Sequence, residues 1–220
     1  MSSLKFPKPL KRGDKIAIVS LSSGALGEDF CKHELEIGLE RLKKLGLVPV
    51  VMPSALKGIE YIKNHPEARA GDLKQAFMDD EIKGIITAIG GDDTYRTIPY
   101  LMRDEVFKEA VRKHPKIFVG FSDTTNNYLM LNKLGLTTYY GPCFLADVAE
   151  LDDEMLPYTA EYFDKLFNDE SFEIKSSPVW YEDRKSYDRS QIGVPRTAHD
   201  EKHGVETLNG SGMRSGELYG

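Results

Sequence analysis

Long apolar runs separated by amphipathic stretches set the rhythm of the first 168 residues. "KIAIVSLSS" (15–23) is a β-rich apolar run ending in small polar residues, and Leu35, Leu39 and Leu42 then recur at helical spacing. That helix opens near Glu28 and Asp29 and closes with Arg41, Lys43 and Lys44 before Gly46, so its charges complement the helix dipole and the glycine is placed to cap it. "LVPVVMP" predicts a strand, Leu73, Ala76 and Phe77 an amphipathic helix, and "GIITAIGG" (84–91) another strand. "TYRTIPYLM" predicts a short helix limited by Pro99, "KIFVGFSD" a strand, and 124–134 a helix ending at Gly135. The strands are apolar throughout rather than alternating, and they alternate in order with helices. Both features predict an α/β fold with a parallel sheet flanked by helices.

In such sheets ligands bind beyond the carboxyl ends of the strands. Three polar or glycine-rich breaks fall there: "SLSSGALG" (20–27), "IGGDDTYR" (89–96) and "GFSDTT" (120–125). After about residue 168 the helical stripe disappears and turn residues accumulate around short β-like pieces. The division predicted is an α/β domain over 1–168, followed over 169–220 by a linker and the beginning of a smaller β-rich C-terminal domain.

Composition narrows the partners. A net charge of −6 and a pI near 5.5 provide no basic surface for a phosphate backbone, so no nucleic-acid partner is expected. No stretch approaches the roughly 20 apolar residues of a membrane helix, and "MSSLKFPKPLKRGDK" has no apolar segment behind its charge, so no membrane association and no secretory signal are expected. Cys31 and Cys143 are too few for a disulfide scaffold and lack metal-ligand spacing, which leaves a cytoplasmic protein with reduced thiols as the expectation.

Candidate chemistry centres on Ser122. A strand-to-helix turn lifts its central residue above the sheet and aims the following N–H groups at the same space, so one turn can supply a nucleophile and part of an oxyanion hole. Gly120-Phe121-Ser122-Asp123-Thr124 is like the G-x-S-x-G elbow without its second glycine. Serine, aspartate and threonine are also the preferred helix N-caps, so a simple cap fits the same residues. The paired glycines of "AIGGDDTYR" can point amides at an anion; they can equally form a tight turn with Asp92 or Asp93 as a cap, and the two carboxylates disfavour a phosphate. "HDEKH" (199–203) has the i, i+4 spacing of a zinc helix with its glutamate displaced by one place, in a stretch with no helical periodicity, so it is expected to be an exposed loop. None of His33, His65, His114, His199 and His203 is identified locally as a base for Ser122. Trp180 is either a packing anchor or a stacking surface.

Taken in order, "KPLKRGDKIAIVSLSS", "ARAGDLKQAFMDDEIKGIITAIGGDDTYRTIPYL", "KIFVGFSDTTNNYLMLNKLGLTTYYGP" and "GVETLNGSGMRSGELYG" resemble successive blocks of the LD-carboxypeptidase serine peptidases. The "GGDD" form is closer to the microcin C self-immunity branch than to the murein-recycling enzymes. The resemblance implies a cytoplasmic serine hydrolase that uses no metal and no cofactor, homodimeric at full length, with an α/β domain followed by a β-rich domain. It implies Ser122 as nucleophile, the amides of Asp123 and Gly91 as the oxyanion hole, and Gly90, Asp92 and Trp180 as substrate-binding positions. The substrate implied is a murein L,D-peptide, as in peptidoglycan recycling, or a peptidyl-nucleotide conjugate whose acyl group is transferred to the serine. The family's glutamate and histidine follow a G-x-L-x-G-G-N block that this sequence enters at "SGELYG" and does not complete. The expectation is therefore a C-terminally shortened, impaired enzyme with exposed apolar surface. Two rivals remain: a kinase-like nucleotide-binding protein using the GGDD turn, and a non-catalytic ligand-binding fragment.

Overall fold

The structure is a computed structural model that describes residues 4–168, 172–201 and 208–210. Five parallel strands, β1 (Lys15–Val19), β2 (Val48–Val51), β3 (Ile82–Thr87), β4 (Ile117–Gly120) and β5 (Tyr139–Tyr140), form one sheet in the order β2-β1-β3-β4-β5. Residues that alternate along a strand serve two cores. Ala17, Val19, Ile85 and Phe118 pack with Leu73, Phe77, Phe107 and Leu131 on one face. Ile16, Ile18, Ile86, Ile117 and Val119 pack with Leu42, Phe144 and Phe163 on the other. Burial on both sides is why these strands read as continuous apolar runs.

The first face is covered by α3 (Pro66–Met78), α5 (Glu105–Lys113) and α6 (Thr125–Lys133); α1 (Lys32–Lys44) and α7 (Pro157–Asp164) cover the second, while α2 (Ile59–Asn64) and α4 (Ile98–Arg103) are short connections. Gly46 and Gly135, with φ of 86° and 93°, follow α1 and α6 in the left-handed conformation that closes helix ends. Pro99 sits in the first turn of α4, where a missing N–H costs nothing, so it starts that helix rather than limiting it. None of the described helices is long and apolar enough to cross a membrane.

One element here departs from the sequence expectation. Residues 198–200 are not an exposed loop: β7 (Ala198–Asp200) pairs antiparallel with β6 (Val179–Tyr181), and His199 lies opposite Trp180. Periodicity cannot reveal this, because three-residue strands joined by a long connection carry no pattern. His203 lies outside the described residues, as does nearly all of the "GVETLNGSGMRSGELYG" block. The β6–β7 segment is fastened to the α/β layer through Glu150, which accepts from Arg184 at 2.5 Å and pairs with Arg196 at 2.8 Å. His33 Nε2 also meets the Tyr187 carbonyl at 2.8 Å, and the Gly193 amide donates to the Leu151 carbonyl at 2.8 Å.

Candidate active site

The order β2-β1-β3-β4-β5 reverses direction beside β1: the chain moves outward to β2, then returns across β1 to β3. Such a switch opens a crevice at the carboxyl end of the sheet, and the three turns singled out by sequence meet there. Ser22 and Ser23 follow β1, Gly90 to Asp93 follow β3, and Ser122 follows β4.

Ser122 has φ of +60°, a left-handed conformation that costs a non-glycine residue on the order of 1–3 kcal/mol. Two side chains hold it there. The Ser122 amide donates to the Tyr140 hydroxyl at 3.0 Å, and the Thr125 hydroxyl donates to the Ser122 carbonyl at 2.7 Å. Ser122 is exposed, and its hydroxyl makes no hydrogen bond to any described residue. A capping hydroxyl would instead accept an amide from the turn that follows it.

Gly90 lies against this elbow. A Cβ built there would stand 2.8 Å from the Ser122 Cβ, 3.0 Å from its hydroxyl and 3.4 Å from the Asp123 amide nitrogen. Only a residue without a side chain lets the β3 turn approach so closely. Gly90→Ala is accordingly expected to push the Ser122 side chain aside and slow its covalent modification at least tenfold; an unchanged rate constant for reaction with a fluorophosphonate would contradict this contact.

Gly91, with φ of +154°, is equally close to the β1 turn: a Cβ would fall 2.1 Å from the Ser22 hydroxyl oxygen. That oxygen accepts the amides of Asp92 at 3.1 Å and Asp93 at 3.2 Å, and its proton goes to the Asp93 carboxylate at 3.1 Å. The amides of Gly91 and Asp123 make no hydrogen bond to other described residues. The Asp123 carboxylate reaches across to the Thr94 amide at 2.8 Å, and the Thr94 hydroxyl donates to buried Asn127 at 2.9 Å, so the β3 and β4 turns are fastened together.

Charge around the turn also differs from the local sequence. Asp93 accepts from Arg69 at 2.6 and 3.2 Å and from Arg96 at 3.1 Å. Burial works against ionisation of Asp93, but the arginines and Ser22 outweigh it and hold the carboxyl below its ordinary value. Asp93 is thus a neutralised part of the frame. Asp92 projects into solvent, with only its amide fixed on Ser22. The cysteines offer no rival nucleophile: burial pushes the Cys31 thiol up to about 12 and raises Cys143 as well.

Of the positions singled out, Ser122, Asp123, Gly90, Gly91 and Asp92 come together, whereas Trp180 lies in the β6–β7 pair. Its indole stacks on His199 with ring centroids 4.5 Å apart and remains 46% exposed. His199 Nε2 in turn meets Glu182 at 2.7 Å. None of the described histidines bonds to Ser122: His33, His65, His114 and His199 pair with the Tyr187 carbonyl, Glu67, Asp80 and Glu182. Ser22, Arg69, Asp93 and Tyr140 complete the site without having been singled out by sequence for these contacts. Arg69 and Tyr140 act across 24 and 18 residues, so local pattern holds no trace of them.

Comparison with known proteins identifies relatives of this chain. The LD-carboxypeptidase N-terminal domain matches residues 16–141. The Bacillus subtilis "Probable murein peptide carboxypeptidase" is 33% identical over 168 residues, 76% of this chain and 49% of that protein. The crystal structure of an MccF-like protein from Streptococcus pneumoniae in complex with AMP superposes with a TM-score of 0.81 at 52% identity, covering 86% of this chain and 55% of that one. The microcin C7 self-immunity protein MccF of Escherichia coli is 26% identical over 216 residues, 96% of this chain and 60% of that protein. Its complex with aspartyl sulfamoyl adenosine superposes with a TM-score of 0.76, covering 88% of this chain and 57% of that one. The chain spans about half the length of the curated relatives it matches. The turns that bear Ser22, Gly90, Gly91 and Ser122 all lie inside the matched span, and the chain belongs to the LD-carboxypeptidase family, in its MccF-like branch.

Proposed function

We propose that the protein carries the nucleophile of a serine hydrolase that cleaves an aminoacyl or peptidyl group from a nucleotide-like moiety. One observation carries the proposal: the unbonded Ser122 hydroxyl stands at a strained turn, packed against Gly90, with the Gly91 and Asp123 amides unengaged beside it. In this reading Oγ adds to the acyl carbonyl, and the developing oxyanion accepts from the Gly91 and Asp123 amides. The bond to the nucleotide moiety breaks, the departing group takes a proton, and water then releases the acyl group and restores the hydroxyl. A serine needs a base for this. None of the described histidines bonds to Ser122, and we assign the base to the β-rich unit that follows the α/β domain after a division near residue 168.

Two features support a nucleotide conjugate over a murein peptide. A relative 52% identical in sequence is described in complex with AMP. The Trp180 indole, backed by His199, offers the flat surface a base would stack on. A cavity of about 740 Å³, lined by Ala25, Ile89 and Tyr187 to Arg189 among others, lies beside the rim; its size is within the range of small-molecule sites and suits either ligand.

The test is to incubate the protein at its native length with an aspartyl adenosine conjugate and with an L,D-tetrapeptide, reading products by mass spectrometry. Release of the nucleoside moiety supports the proposal, cleavage of the tetrapeptide alone reassigns the substrate, and cleavage of neither removes the hydrolase. Trp180→Ala should weaken AMP binding on the order of 5- to 150-fold, the equivalent of one lost stacking contact. Calorimetry showing equal affinity for the variant would take Trp180 out of the base site.

A further inference from the structure

The Ser22 hydroxyl has two acceptor sites and one proton, and the structure commits all three. It accepts the Asp92 and Asp93 amides at 3.1 and 3.2 Å and donates to the Asp93 carboxylate at 3.1 Å. It is 3% exposed, so water does not compete for it. The carboxylate that takes its proton is fixed in turn. Arg69, fully buried, grips both Asp93 oxygens and also donates to the Leu21 carbonyl at 2.9 Å, one residue before Ser22. The β1 turn and the β3 turn are therefore one rigid piece, closed around a hydroxyl.

We propose that Ser22 is the positioning residue of the oxyanion pocket: by holding the Asp92 and Asp93 amides it sets the β3 turn so that the Gly91 N–H aims towards Ser122. The inference rests on the nucleophile reading of Ser122. It accounts for the two adjacent glycines by different contacts. Gly90 admits the elbow, whereas Gly91 admits the Ser22 oxygen, which a Cβ would meet at 2.1 Å. It also accounts for a buried arginine in α3 spending its donors on the turn rather than on substrate. An oxyanion donor contributes to rate in proportion to how well it is held before the charge develops. Without the Ser22 oxygen, the Asp92 and Asp93 amides would lose their partner as well and the Gly91 turn could rotate.

Reaction of the native-length protein with a fluorophosphonate isolates this effect. The Oγ–P bond forms, fluoride departs, and the serine proton passes to the general base or to the buffer; the phosphoryl oxygen takes the place of the oxyanion. For Ser22→Ala, the rate constant of the covalent step is expected to fall roughly 10- to 100-fold, with reagent affinity before that step within twofold. Ser20→Ala is the control: Ser20 lies in the same loop as Ser22, but its hydroxyl donates to the Ala55 carbonyl beyond β2 and makes no hydrogen bond to the β3 turn. It should react at the wild-type rate. Ser22→Cys, a larger and weaker acceptor, should be intermediate, and stands in if the alanine variant does not fold. A wild-type rate for Ser22→Ala or, in its stead, for Ser22→Cys overturns the proposal, as does an equal loss in Ser20→Ala that follows melting temperature. Ser122→Ala separates the two claims: labelling that persists there removes the nucleophile reading itself, whatever Ser22 does.

Discussion

Ser122→Ala is expected to abolish turnover of an acyl-nucleotide substrate by the native-length protein, a loss on the order of 10⁴-fold or more. The size follows from chemistry rather than packing. The hydroxyl is exposed and without a partner among the described residues, so its removal leaves no cavity and no orphaned donor. Melting temperature should move little, and AMP affinity should stay within about twofold, because the hydroxyl contributes to bond making and not to ground-state binding. The check is paired: product formation by mass spectrometry and AMP binding by calorimetry on the same preparation. Lost activity with unchanged binding fits a nucleophile. Lost binding would instead make Ser122 part of the ligand cradle.

The second large effect is on stability. Glu150→Ala should destabilise the protein by about 3–5 kcal/mol, the usual result of removing one partner from a buried ion pair. The carboxylate side chain is 1% exposed and faces Arg184 and Arg196, themselves 3% and 10% exposed; alanine would leave Arg184 buried without this counter-charge and Arg196 with only Asp183, 3.6 Å away. These arginines flank the β6–β7 pair, so the same variant should loosen the Trp180 surface and weaken AMP binding. Glu150→Gln keeps the shape and isolates the charge. Burial pushes Glu150 towards its neutral form, but the two arginines outweigh burial and set its folded pKa below the ordinary 4.5. Its stabilising contribution is therefore fully present above about pH 4.5 and is lost as pH falls through the lower folded value. Urea unfolding at pH 7 and pH 4 should show the gap between wild type and Glu150→Gln narrowing in acid; a constant gap would exclude the charge as the cause.

The sheet was legible because its physics is local. Ile16 to Val19, Ile85 to Ile86 and Ile117 to Val119 are apolar on both faces, and no other arrangement buries such runs as well. Gly46 and Gly135 marked helix ends because left-handed backbone favours glycine. The α5 helix carried a readable signal that the charge-rich "RDEVFKEAVRKH" obscured: Asp104 caps it by accepting the Phe107 amide, and Phe107, Ala110 and Val111 face the core. β5 is two residues long and β6 and β7 three each, too short for period to declare itself. The site divides in the same way. Ser122 and the glycines could be found because turn chemistry is written in consecutive residues. What holds them could not, since Ser22 bonds to Asp93 and Tyr140 to Ser122 only after the chain has folded.

Arg69 illustrates the cost of reading charge locally. "GGDD" with no nearby lysine suggests a turn that repels anions, yet Asp93 is compensated by a guanidinium from α3 and another from Arg96. The turn keeps the Gly91 amide available without an unbalanced Asp93 carboxylate behind it. Membership of the LD-carboxypeptidase family, with an AMP-bound MccF-like relative, also leaves the kinase-like alternative without support from the rest of the chain.

The central claim is that one strained hydroxyl reacts beside two preset amide dipoles. A crystal structure of the native-length protein after reaction with a fluorophosphonate tests it most directly. The account predicts phosphorus on Ser122 Oγ, with the phosphoryl oxygen about 2.7–3.1 Å from both the Gly91 and the Asp123 nitrogens. An adduct on another residue, or one on Ser122 whose oxygen turns away from those amides, would contradict it.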